Sequence, residues 1–95
     1  MQVDFHPDAT IELSESAEWY AEQSSRAARN FLVAVDVAVA SIMDDLKRFV
    51  SIDDRHQSCS VINFPFQIVF RINGDRIVVV AVAHAKRRPG YWRGR

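Results

Sequence analysis

The sequence predicts an α+β fold, in which an N-terminal strand is followed by an antiparallel two-helix hairpin packed on a mainly antiparallel sheet, in the order β-α-α-β-β-β. Three observations carry this expectation. Residues 9–46 contain two apolar stripes at helical spacing. Residues 66–83 hold two apolar runs separated by Asn73-Gly74-Asp75, a strong hairpin signal. Short segments at 2–5 and 58–63 supply two more strands. With 95 residues, 48% hydrophobic and 25% charged, the chain has the size and composition of one globular domain over 1–95.

In chain order, Gln2 to Phe5 reads as a short strand, and His6-Pro7 opens a helix whose first turns carry Asp8 and Glu12 at the positive end of the dipole. Ala9, Leu13, Ala17 and Tyr20 form its buried stripe. Glu12, Glu15, Glu18 and Glu22 read as its solvated face. Gln23-Ser24-Ser25 interrupts the pattern and offers a serine N-cap for a second helix. That helix has the stripe Phe31, Val35, Ala38, Val39, Ile42 and Leu46, with Lys47 and Arg48 near its C-terminal end. A short connection makes the two helices antiparallel. Val50 to Gln57 shows no periodicity and reads as loop, and Ser58 to Asn63 as a strand.

The next strand alternates Phe66, Ile68, Phe70 and Ile72 with Gln67, Val69, Arg71 and Asn73. From Ile77 to Ala83 every position is apolar, as expected of a central strand covered on both faces. Asn-Gly favours a type I′ turn. A two-residue loop pairs Ile72 with Asp75 or with Ile77, and places Arg71 on one face with Arg76, Val78, Val80, Val82 and His84. The bulkier opposite face, with Phe66, Ile68, Phe70, Ile77 and Val79, is expected to pack on the helices. The valine row Val78, Val80 and Val82 is then the surface left for a partner.

The zero net charge hides a split. Residues 1–54 hold eleven acids and four Lys/Arg, and residues 55–95 hold one acid and eight Lys/Arg, so the halves are −7 and +7. Such an imbalance suggests that the basic end faces a polyanion or an acidic partner. Cys59 stands alone, which excludes an internal disulfide framework and points to a reducing compartment and a packing role. The polar N-terminus with Pro7 lacks a signal-peptide pattern, and the apolar run 27–43 is short and contains Arg29, Asn30 and Asp36, so it reads as a core helix and the expected location is the cytoplasm.

No familiar catalytic signature is present. His6, His56 and His84 lie far apart, outside any metal-binding pattern, so neither a metal nor another cofactor is expected. Neither a glycine-rich phosphate loop nor a Gly-x-Ser-x-Gly elbow occurs. What remains is a basic group: Arg71, His84, Lys86, Arg87, Arg88, Tyr91 and Arg93. These residue types hold RNA phosphates, stack on bases and stabilise a pentacoordinate phosphate, with His84 or Tyr91 chemically able to move the proton. The same residues suit binding of an acidic partner.

The element order, Ala17-Glu18-Trp19-Tyr20, the run Phe64-Pro65-Phe66-Gln67-Ile68-Val69-Phe70-Arg71 and the ending Ala83-His84-Ala85-Lys86-Arg87-Arg88-Pro89-Gly90-Tyr91-Trp92 resemble the RelE/ParE superfamily of bacterial toxins. The resemblance spans nearly the whole chain. It implies the toxin of a type II toxin–antitoxin, or plasmid stabilisation, system, neutralised by a small antitoxin that contacts the row Val78, Val80 and Val82. RelE-like members cleave mRNA on the ribosome, and that reading assigns catalysis to Arg71, His84, Arg87, Arg88 and Tyr91. ParE-like members keep the fold without that catalytic set and inhibit DNA gyrase, and here target binding falls to Lys86, Arg87, Arg88, Trp92 and Arg93. Relatives often carry basic residues before Phe-Pro, where this chain has Val61-Ile62-Asn63, and tyrosines where it has Phe66 and Phe70. The segment from Ser51 to Ser60 also departs from the usual pattern. These departures favour gyrase inhibition over mRNA cleavage, with an inactive antitoxin-binding module as a further alternative.

Overall fold

The computed structural model describes residues 1–95. β1 (Gln2–Phe5), α1 (Pro7–Gln23) and α2 (Ser25–Asp44) follow the expected order. A 3₁₀ turn at Leu46–Arg48 leads to β2 (Val50–Ser51), β3 (Gln57–Ser60), β4 (Phe66–Asn73) and β5 (Arg76–His84). β2 lies in the segment expected to be loop, and its two residues pair with Ser58 and Gln57. The expected strand 58–63 is shorter at its C-terminal end, because Asn63 takes a left-handed conformation (φ 70°) in the bend before Pro65.

The helix boundaries follow from side-chain chemistry. His6 caps α1 by accepting the Asp8 N–H through Nδ1 at 3.1 Å, ahead of Pro7. Ser24 is extended, which ends α1, and its hydroxyl accepts the Ala27 N–H at 2.9 Å, which starts α2. One residue therefore turns the chain between the helices. Their inward stripes meet the sheet through buried Ala9, Phe31, Val35, Ala38 and Ile42.

The sheet order is β1-β5-β4-β3-β2. It is mixed: β1 runs parallel to β5, while the β5–β4, β4–β3 and β3–β2 pairs are antiparallel. The β4–β5 loop has two residues, Gly74 and Asp75, with Ile72 opposite Ile77. Gly74 alone in the loop has positive φ (64°), so glycine occupies the first loop position, as in a type II′ rather than the expected type I′ turn.

A β-bulge then alters the faces. Phe70 pairs with Val79 but Val69 pairs with Ala81, leaving Val80 as the extra residue. Beyond it β5 is reversed relative to simple alternation. Val82 joins Phe66, Ile68, Phe70, Ile77 and Val79 in the helix-facing core. His84 packs edge-on against Phe66, with ring centres 4.9 Å apart. Val80, Ala81 and Ala83 face the other side with Val69, and Trp92 covers them. The expected single face carrying Arg71, Val78, Val80, Val82 and His84 is thus broken at the bulge. Val80 is fully buried under the chain's own C-terminal segment, and Val82 lies beneath the helices, so neither is an open surface for a partner.

A C-terminal clasp and a basic turn as the candidate functional site

Residues 85–95 fold back over the sheet face opposite the helices. Trp92, 4% exposed, packs on the small side chains of β5, and its ring lies 4.6 Å from that of buried His56. Arg71 projects from β4 and donates from Nη1 to the Arg95 carbonyl at 3.1 Å. Arg93 meets Asp53 through Nε at 3.3 Å.

Glu12 is the centre of this arrangement. β1 accompanies β5 only as far as Val79, so the remaining β5 edge carries main-chain groups without a strand partner. Glu12 Oε1 accepts the Val82 N–H at 3.0 Å, and Arg95 Nη1 donates to the Val80 carbonyl at 2.9 Å. The Glu12 carboxylate and the Arg95 guanidinium join in two hydrogen bonds of 2.9 and 3.1 Å. Tyr91 donates its hydroxyl to Glu12 Oε2 at 2.7 Å. Burial, reinforced by that hydrogen bond and by the Glu12 charge, pushes the Tyr91 phenol above its usual range. Glu12 is therefore part of a nearly buried network, 11% exposed, and departs from the solvated-face expectation for the α1 glutamates.

Part of the charge split is paired within the chain. Asp4 pairs with Arg76 at 2.7 Å, Asp8 and Glu12 with Arg95, and Asp53 with Arg93. Arg87 lies 4.0 Å from Glu12 and stacks its guanidinium 3.9 Å above the Tyr91 ring, yet remains 54% exposed. Lys86 and Arg88 are exposed and outside these ion pairs. The turn Lys86-Arg87-Arg88 is thus a run of three consecutive basic residues directed outward, beside the exposed Arg55 and the half-exposed Arg93 elsewhere in the basic half.

Of the residues named for catalysis, His84, Arg87, Arg88 and Tyr91 line one hollow of about 240 Å³, and Arg71 stands apart from them. His84 accepts the Lys86 N–H through Nδ1 at 3.0 Å and, with Lys86 and Arg87, lines a groove of about 560 Å³ floored by Tyr20, Phe66 and Val82 and walled by Trp19, which is 58% exposed. Arg71 lines a separate polar hollow with Asp53, Arg55 and His56. Tyr91, with its proton held on Glu12, is poorly placed to act as a base at neutral pH. Cys59 is buried against Ala38, and burial pushes its thiol up, as expected for a packing residue.

Asp53 and His56 form a further polar pair, in the stretch expected to be loop. Asp53 Oδ1 accepts the Arg55 and His56 N–H groups at 2.8 and 2.7 Å, and faces His56 Nδ1 at 3.0 Å. The Arg55 N–H is foremost in holding this carboxyl well below the usual carboxylate range, outweighing desolvation, with His56 and Arg93 adding to it. Because the folded value lies below the unfolded one, the stabilisation is present above the unfolded value of about 3.9 and is lost as pH falls further. Asp53→Asn is expected to lower stability at neutral pH and flatten the acid limb. Acid unfolding followed by Trp92 fluorescence in a Trp19→Phe background checks this.

A small mixed sheet with a two-helix hairpin on one face is the fold that the resemblance to the RelE/ParE toxins implied. A chain of a solved structure titled "Chromosomal ParDE TA system from P. aeruginosa" shares the fold, with TM-score 0.77, 14% identity, and coverage of 90% of this chain and 97% of that one. No curated protein matches the chain. The model of the family described as ParE toxin of type II toxin-antitoxin system, parDE, matches residues 3–89, and the chain belongs to that family.

Proposed function

We propose that this type II toxin inhibits DNA gyrase in the cytoplasm, through the outward turn Lys86-Arg87-Arg88, and is neutralised by a small acidic antitoxin. One observation carries the reading. The fold spends Arg71, Tyr91, Arg93 and Arg95 on fixing the tail and leaves an ordered, basic, solvent-facing turn beside an aromatic groove. That arrangement supports a binding role. An RNA-cleaving site needs a free base and all of its phosphate-holding groups at one scissile bond, whereas Tyr91 is engaged with Glu12 and Arg71 lines a separate hollow. Neutralisation follows if an apolar segment of the antitoxin enters the groove beside Trp19 and sets its carboxylates against Lys86 and Arg87. No helix of the chain is long and apolar enough to cross a membrane.

Gyrase supercoiling titrated with the purified protein tests the target. Inhibition that is relieved by the protein encoded in the adjacent reading frame is expected. Unimpaired supercoiling together with ribosome-dependent cuts in a reporter mRNA would replace this reading with the RelE-like one.

A further inference from the structure

We propose that Glu12 is a positioning residue for target binding: its carboxylate closes the open edge of β5 and clasps the C-terminal segment, and the placement of the Lys86-Arg87-Arg88 turn depends on it. The functional part of this proposal rests on the gyrase reading above.

The geometry is specific to this one glutamate. Glu15, Glu18 and Glu22 share its helix and lie exposed, whereas Glu12 accepts four hydrogen bonds from three separate places. Those partners are Val82, Tyr91 and Arg95, between 70 and 83 residues away. The bulge is part of the design. Near Val80 the β5 edge presents the Val80 carbonyl and, two residues on, the Val82 N–H, and the Glu12–Arg95 pair supplies one acceptor and one donor to match. The pair therefore acts as a short substitute for the strand that β1 does not provide.

From there the geometry reaches the outward turn. Tyr91 is held by Glu12, and Arg87 rests on the Tyr91 ring, with the Arg95 guanidinium 5.1 Å from the same ring centre. Fixing one phenol thus fixes the direction of the exposed guanidinium. Glutamine at position 12 preserves size but turns an N–H₂ toward the Arg95 donors or toward Val82, so it cannot reproduce the network.

The test uses Glu12→Gln in the full chain, with Arg95→Gln as a second variant that opens the same pair from the tail. A core control, Ile42→Val, lowers stability without touching the clasp. Both clasp variants are expected to speed tryptic cleavage after Arg87 and Arg93 by about tenfold or more, because proteolysis follows the population of the opened segment. In a Tyr20→Phe background, absorbance at alkaline pH should show Tyr91 ionising earlier in Glu12→Gln than in the parent. Gyrase inhibition should weaken by about tenfold, a loss typical of a preorganised contact surface, while Ile42→Val keeps both tail protection and inhibition. A tail equally protected in the clasp variants overturns the proposal. A released tail with unchanged inhibition also overturns it and leaves the gyrase reading standing. Parent protein that spares gyrase overturns that reading and the functional part with it, and tail protection alone then decides whether Glu12 is the clasp.

Discussion

Truncating Phe31 to alanine is expected to cost about 3–5 kcal/mol, the usual loss for a fully buried aromatic. Phe31 has no exposed surface and lies where both helices meet the sheet. Its ring is within 5.3 Å, centre to centre, of Tyr20, Phe64 and Phe66. The void would therefore remove contacts from α1, β4 and the bend before β4 at once. A domain of this size has a net stability of about 5–15 kcal/mol, so the variant should lose a large share of it. Urea denaturation checks the value. An undiminished midpoint would mean that the aromatic cluster repacks around the gap.

The second large effect concerns binding and rests on the proposed gyrase target. On that reading, Lys86→Glu with Arg88→Glu should weaken gyrase inhibition by on the order of 100-fold, because reversing charge on a steering surface both slows encounter and introduces repulsion. Neither side chain enters an intramolecular ion pair, so the change in stability should stay within about 0.5 kcal/mol. The combination of full stability and lost inhibition separates this from the Phe31 result. Supercoiling assays at two salt concentrations check it, with the parent's inhibition weakening as salt rises. Inhibition retained by the charge-reversed protein would move target binding away from the turn.

The helices were readable because each apolar stripe repeats at helical spacing and each start carries a side chain suited to cap it, His6 before α1 and Ser24 before α2. The β4–β5 pairing was readable as far as Phe70, since a two-residue loop fixes the register locally. It then failed for a definable reason. Val78 to Ala83 is apolar throughout, so its alternation gives no indication of which face each side chain takes, and a one-residue bulge leaves no mark in composition. His84 and Val82 changed faces accordingly. The parallel placement of β1 was hidden as well, because its partner lies at the far end of the chain.

The candidate site was half visible. Lys86, Arg87 and Arg88 emerged from composition alone, and they are indeed exposed. Glu12 looked like its three neighbours on α1, because what distinguishes it is contact with residues more than 70 positions away. Arg95, the other half of the clasp, is equally unmarked in the sequence, because its partner Glu12 lies 83 residues away. Asp53 and His56 had a local signal after all: an aspartate two and three residues before the N–H groups it accepts is a turn motif readable from Asp-Asp-Arg-His.

The closing of β1 and Glu12 onto β5 also orders events in time. The helix pair and the β4–β5 hairpin join residues close in sequence, and such contacts form early. β1 and the clasp close loops spanning most of the chain, at an entropic cost that has to be met before any contact is made. They are expected to dock last. In that interval β5, the most apolar strand, has a bare edge, and a nascent chain is then most open to chaperones, proteases and mispairing with its own copies. For a toxin whose harm depends on its folded surface, this sets a delay between synthesis and potency.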